Sequence, residues 1–356
     1  MKKNALYFMP DISGFTNFVH ANEIEHSKHI ISELLEALID TDTMNLQLAE
    51  IEGDALFMYT LDIPSFATVM EQSQKMLEEF SYQIAKYETQ RICQCGACIN
   101  ASNLKIKFII HYGEISFMRV KHMVKPYGID VIKTHRLLKN SVSVHQYILI
   151  SSETLDYWNV DTAEFPSFKA MQDDYDLGKA VYMYKDLSQF KISSEKTIQK
   201  IGIQKPDSPP AFHFSTVLEA NVSDAYTLIT DFSIRTSWYK LVDDLLFDAY
   251  RINRVGTRHN CISGSSIYKV ATLGGKTKEE QLVYGEKTED IEHLETFSYY
   301  MTLNAIAPEK TCLTTEVFFT YSTKDPGIQH QIRRTLDHVW SDSLDRLAAL
   351  FVPVEV

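Results

Sequence analysis

A chain of 356 residues, 45% hydrophobic and 23% charged, is long enough to bury two separate cores. Its net charge of -12 argues against nonspecific attachment to nucleic acid or to anionic membranes, since both call for a basic face. There is no secretory h-region near Met1, no bilayer-length apolar run, and five cysteines that form no disulfide framework, so the expectation is a soluble cytoplasmic protein. Taken in order, residues 5–9 read as an apolar strand ending at Pro10-Asp11. Helical spacing follows from Phe15 through Ile39, with Asn22 or Ser27 marking a break. Residues 45–52 and 55–60 flank Gly53-Asp54 as a hairpin, and 64–87 carry a second helical stripe.

Past a cysteine-rich loop, 104–112 read as a strand with 114–120 as its return. A helix over 127–140 and strands at 147–151 and 180–184 complete a β-α-β-β-α-β order, a ferredoxin-like plan. Residues 189–210 change character and end in Pro209-Pro210, which marks them as a linker between a domain over 1–188 and another over 211–356. The second half opens with a strand over 211–220 and a helix started by Asn221-Val222-Ser223-Asp224. Strands are expected at 246–252, 257–263, 266–273, 279–285, 293–304 and 311–322, and an amphipathic helix at 327–351. The overall class is therefore α+β: a ferredoxin-like domain, then an antiparallel sheet gripping a long final helix.

Asp11 and Asp54 stand at strand edges, where two carboxylates suit hard divalent cations; the plainer alternative is a pair of strand-end caps. Their context is specific. Asp11-Ile12-Ser13-Gly14-Phe15-Thr16 resembles the Asp-Ile-x-Gly-Phe-Thr signature of class III nucleotidyl cyclases, and Gly53-Asp54 resembles their second metal motif. Lys107 to Gly113, with His111-Tyr112-Gly113, is similar to the strand before the family's third motif. Gly128-Ile129-Asp130-Val131 followed by Arg136 resembles the segment that ends in its transition-state arginine. Four motifs in order carry the resemblance, across roughly 5–185.

The resemblance implies two Mg²⁺ or Mn²⁺ ions on Asp11, Asp54 and the Ile12 carbonyl. Phosphate would be received by the backbone of Gly14, Phe15 and Thr16, and Arg136 would face the reacting phosphorus across a homodimer. It implies a nucleoside triphosphate as substrate and a 3',5'-cyclic nucleotide as product. Base reading falls to Glu50, the guanylate-type residue, and to Lys125, which matches neither usual residue; the two could equally pair with each other. Ile132 stands where active members carry a ribose-orienting asparagine. A non-catalytic nucleotide-sensing or dimerisation module is the competing expectation. The branch resembled is a divergent bacterial one.

Cys93-Gln94-Cys95-Gly96-Ala97-Cys98 puts three thiols on one loop. They read either as a zinc site, with a fourth ligand from His111, His122 or a second subunit, or as reduced cysteines without metal. His20, His26 and His29 read as surface or capping residues. In the second half, Arg235-Thr236-Ser237-Trp238 and Val255-Gly256-Thr257-Arg258-His259 resemble patterns of the START-like, or SRPBCC (polyketide cyclase-like), helix-grip superfamily, over about 211–353. That resemblance implies a cavity for a small apolar ligand, with Tyr299, Met301, Phe318, Trp340 and Leu344 as lining or plain core.

Overall fold

The computed structural model describes residues 3–22, 24–192, 205–278, 281–288 and 290–352, with backbone alone at 162 and 275–278. The expected linker lies mostly outside them. The chain forms two compact units, residues 1–87 with 99–198 and residues 88–98 with 199–356, so the cysteine loop up to Cys98 belongs to the second. Among the described residues no helix is long and apolar enough to cross a membrane.

The first unit begins with β1 (Lys3–Ser13), buried from Ala5 to Ile12 without alternation, as befits a strand covered on both faces. Gly14, at φ +94°, turns the chain into α1 (Phe15–Ala21); a side chain there would be strained in this left-handed conformation. Then come α2 (Ile24–Asp40), β2 (Gln47–Glu52), β3 (Ala55–Thr60) and α3 (Phe66–Thr89). The short α4 (Gly96–Asn100), whose residues up to Cys98 count with the second unit, follows, then β4 (Lys105–Val120), β5 (Met123–Tyr127), α5 (Ile129–Leu137), β6 (Tyr147–Ser151), α6 (Ser152–Trp158), β7 (Phe168–Tyr175) and β8 (Gly178–Asp186). The strands join in the order β2-β3-β1-β4-β6-β8-β7. Among the described residues of this sheet, β4 and β6 alone pair in parallel.

One expectation fails here. Residues 114–120 do not return along the first strand; they continue it as one 16-residue β4, and β5 supplies the return. The physical reason is exposure. Beyond Ile115 the strand leaves the core and pairs only with β5, forming a ribbon that carries Phe117, Met118, Val120, Met123, Val124 and Tyr127 in solvent.

The second unit is built from β9 (Phe212–Leu218), α7 (Val222–Thr230), α8 (Arg235–Trp238), β10 (Asp244–Leu246), β11 (Arg258–Ser263) and β12 (Ser266–Thr272). It continues with β13 (Gly275–Lys278), β14 (Gln281–Thr288), β15 (Leu294–Ala307), β16 (Lys310–Tyr321) and α9 (Pro326–Ala349). An antiparallel sheet runs β10-β11-β12-β14-β15-β16-β9, with β13 on β14. Two of these helices, α7 and α9, start at polar caps. The Asn221 side chain accepts from the Asp224 N–H, and Asp325, followed by Pro326, accepts from the Gly327 and Ile328 N–H groups.

The strand expected at 246–252 is absent except for its first residue, which closes β10. A turn replaces it, held by the Asp248 side chain on the Tyr250 N–H and by Thr257 on the Arg254 N–H. Residues 88–98 join this unit directly. The Gln90 carbonyl accepts from the Val255 N–H at 3.0 Å, and Ile92 is 1% exposed within the core. Gly274 makes room for it, since a Cβ there would come within 2.6 Å of Ile92.

Candidate functional site

Register brings the first site together. Asp11 pairs with Ala55 on β3 and with Lys107 on β4, while the Ile12 N–H donates to the Asp54 carbonyl at 3.1 Å. Asp54 therefore leaves the β2–β3 turn beside Asp11, and the two side chains line the same cavity. Burial, then the neighbouring Asp11 charge, pushes the Asp54 carboxyl up to about 6. Lys107 Nζ lies 3.2 Å from Asp11 Oδ2, with both side chains mostly buried. Asp11 and Asp54 open onto a cavity of about 700 Å³, also lined by Ser13, Gly14, Phe15, Thr16, Lys105 and Lys107. That volume suits a nucleotide-sized ligand.

Two carboxylates this close, Asp11 buried and Asp54 half-buried, repel unless a proton or a cation lies between them, and both offer oxygen to a hard ion. The donor set fits Mg²⁺ or Mn²⁺. The same repulsion gives a pH signature. The folded chain holds the Asp54 proton to about 6, whereas an unfolded carboxyl releases it near 4. Its stabilising contribution is thus complete below about pH 4 and is lost as pH rises through about 6. Metal-free protein should lose stability across that window, and Asp54→Asn should flatten the loss in thermal melts taken at stepped pH.

The other expected residues lie elsewhere, and none of them lines this cavity. Lys125 Nζ donates to both oxygens of Glu50 at 2.8 Å, so the two base-reading candidates are paired with each other. Arg136 makes a bidentate pair with Asp176, Nε to Oδ1 and Nη2 to Oδ2, both at 2.9 Å. Ile132 is exposed on α5. His111 is not free to ligate zinc. It is fully buried, with Nδ1 2.8 Å from Ser151 Oγ and Nε2 3.1 Å from Asp130 Oδ1. Burial raises the Asp130 carboxyl, but hydrogen bonds from His111 and the Glu114 N–H outweigh it and hold Asp130 below the usual range.

Lys107 is the residue missed by sequence reasoning. Its signal was the strand register, which places it opposite Asp11. In the second unit, sequence reasoning missed a buried polar cluster. Arg235, fully buried, donates from Nη1 to Glu286 Oε1 and to the Tyr299 hydroxyl, both at 2.9 Å. Its Nη2 donates to the Tyr284 hydroxyl at 3.0 Å, and both tyrosine hydroxyls donate to Glu286. Trp340 of α9 packs on Tyr299 and Tyr239, with centroids 4.8 and 5.1 Å apart. The space left beside Glu286, Tyr299 and Tyr239 is about 20 Å³, room for a single water. Of the expected lining, Tyr299, Met301, Trp340 and Leu344 are core. Phe318 is not part of that core cluster: it alternates with inward Val317 and packs on Tyr300.

A family described as "Protein of unknown function (DUF2652)" matches residues 31–147. A Mycobacterium tuberculosis protein named "Uncharacterized protein Rv2561/Rv2562" is 34% identical over 121 residues, 34% of this chain and 57% of that protein. The match thus spans a little over half of that relative. Solved structures similar to the chain include adenylyl and guanylyl cyclase domains. They include the adenylyl cyclase CyaB from P. aeruginosa (14% identity, TM-score 0.40, 53% of this chain and 97% of that one). Another is the guanylate cyclase domain of RhGC from Catenaria anguillulae in complex with GTP (14%, TM-score 0.35, 52% and 97%).

Proposed function

We propose that the first unit is a class III cyclase-like module that binds divalent cations and a purine nucleoside triphosphate, and that two chains together form a 3',5'-cyclic nucleotide with release of pyrophosphate. The observation that carries this is the convergence of Asp11 and Asp54 at the mouth of the 700 Å³ cavity. The strand order β2-β3-β1-β4 supports a ferredoxin-like core behind it. Bound cations would supply Lewis-acid polarisation of the triphosphate and a lowered pKa for the attacking 3'-hydroxyl. Asp11, Asp54 and the Ile12 carbonyl would hold them. Lys105 and Lys107 place positive charge along the same wall for the phosphate tail, beside the backbone of Gly14, Phe15 and Thr16.

Glu50, Lys125 and Arg136 lie outside that cavity, so they would serve the site of a second copy. The exposed apolar ribbon of β4 and β5, with Ile129 and Ile132 beside it in sequence on α5, supports such a partner. Each of these polar residues must first exchange its present partner: Lys125 its Glu50, Arg136 its Asp176. Those pairs, together with Ile132 in place of a ribose-orienting asparagine, favour a second reading, a nucleotide-sensing dimer without turnover. For the second unit we propose a START-like helix grip. An apolar ligand would enter only if Trp340 and Tyr239 moved apart.

Incubation of the purified chain with Mn²⁺ and ATP or GTP tests the first reading. Cyclic product is expected, falling at least a hundredfold in Asp54→Ala. Nucleotide binding without product would leave only the sensing reading, and turnover unchanged in Asp54→Ala would sink the metal assignment.

A further inference from the structure

Cys93, Cys95 and Cys98 carry chemistry that neither the nucleotide site nor the buried Arg235 cluster uses. Their three Sγ atoms lie within 4.8 Å of one another, and no disulfide joins them. Cys93 and Cys98 are buried and Cys95 is half-buried. The backbone wraps toward the sulfurs. The Cys95 N–H donates to Cys93 Sγ at 3.4 Å, and the Cys98 N–H donates to Cys95 Sγ at 3.5 Å. Backbone N–H groups aimed at sulfur stabilise thiolates, and such outer contacts orient the ligands of thiolate-bound metals. The loop is also anchored, because Ile92 sits in the core of the second unit and the Gln90 carbonyl is tied to Val255.

A redox disulfide would use two of these sulfurs and leave the third unexplained. Tetrahedral zinc, with Zn–S of about 2.3 Å, holds its sulfurs about 3.8 Å apart, a spacing this loop already approaches. Thiolate sulfur also selects zinc over the hard cations suited to Asp11 and Asp54. We propose that Cys93, Cys95 and Cys98 bind one zinc ion per chain as three thiolates, with a fourth ligand from outside the loop, fixing residues 88–98 in the second unit. Each thiol gives up its proton to solvent as its sulfur bonds zinc, so binding is favoured as pH rises.

Metal analysis of the full chain, purified without chelator and under reducing conditions, tests this. About one zinc per chain is expected, and it should be lost in Cys95→Ser and in Cys98→Ser. Serine variants that fail to fold would not hide the answer. Replacing zinc by Co²⁺ in the unmutated chain should give an intense thiolate-to-cobalt charge-transfer band, and stripping the metal should lower the Tm until zinc is restored. Equal zinc in Cys95→Ser would overturn the proposal. So would a reduced chain that takes up Co²⁺ without the charge-transfer band, or one that forms a stable disulfide with its metal content unchanged.

Discussion

Glu286→Ala should destabilise the second unit by about 3–5 kcal/mol, a drop in its melting temperature of roughly 10 °C. The reason is what alanine leaves behind. Arg235 is fully buried, and burial alone would favour its neutral form; the Glu286 charge and the Tyr299 and Tyr284 hydroxyls hold it charged. Glu286 is 2% exposed, and its carboxylate survives burial because Arg235 sits on it and two hydroxyls donate to it. Removing the carboxylate strands a guanidinium among Phe232, Trp238, Tyr239 and Tyr284. Glu286→Gln keeps a hydrogen-bond acceptor and should cost less. Replacing both partners, Arg235→Met with Glu286→Leu, should cost less than Glu286→Ala alone, because no charge is left unpaired. Urea titration of the four proteins measures this. A loss under about 1 kcal/mol for Glu286→Ala would show that water already reaches the pair.

The cluster also shows where sequence reasoning stops. Arg235-Thr236-Ser237-Trp238 was legible as a helix-grip pattern, but nothing local says that Arg235 meets a carboxylate 51 positions away. The register of β14 against β15 puts Glu286 opposite Tyr299, and α8 brings Arg235 onto both. In the first unit, Asp11 to Thr16 could be read because a continuous apolar run, a left-handed glycine and a helix start leave local marks. Lys107 left none, since its proximity to Asp11 exists only in the register of β1 against β4. Strand β7 escaped because none of its residues is buried, and α6 because it is one short helix directly after β6. The segment 88–98 looked like a loop of the first half, and its place in the second unit is set by Ile92 filling the gap over Gly274.

Gly113→Ala should cost about 3 kcal/mol, although it adds only a single methyl group. The His111-Tyr112-Gly113 motif has a structural cause. A Cβ on Gly113 would lie 2.2 Å from Asp130 Cγ and 2.6 Å from Asp130 Cβ, so the neighbour to be displaced is the root of the side chain and not a flexible tip. Asp130 cannot yield cheaply. Its carboxylate accepts from the Glu114 N–H at 2.8 Å and hydrogen-bonds His111, which is itself tied to Ser151. Displacing it breaks those bonds and moves the first turn of α5, the helix that carries Ile132 and Arg136. Cyclic-nucleotide formation, where present, should therefore fall with stability although no proposed ligand is altered. Asp130→Ala alone should also destabilise, by removing the carboxylate that His111 Nε2 and the Glu114 N–H bond. The double variant should cost less than the sum of the two, because alanine at 130 removes Cγ, the atom nearest the new methyl, and leaves only its Cβ in the way. Denaturant melts of the two single variants and the double close this cycle, and strict additivity would mean that Gly113 is required for some reason other than the Asp130 carboxyl.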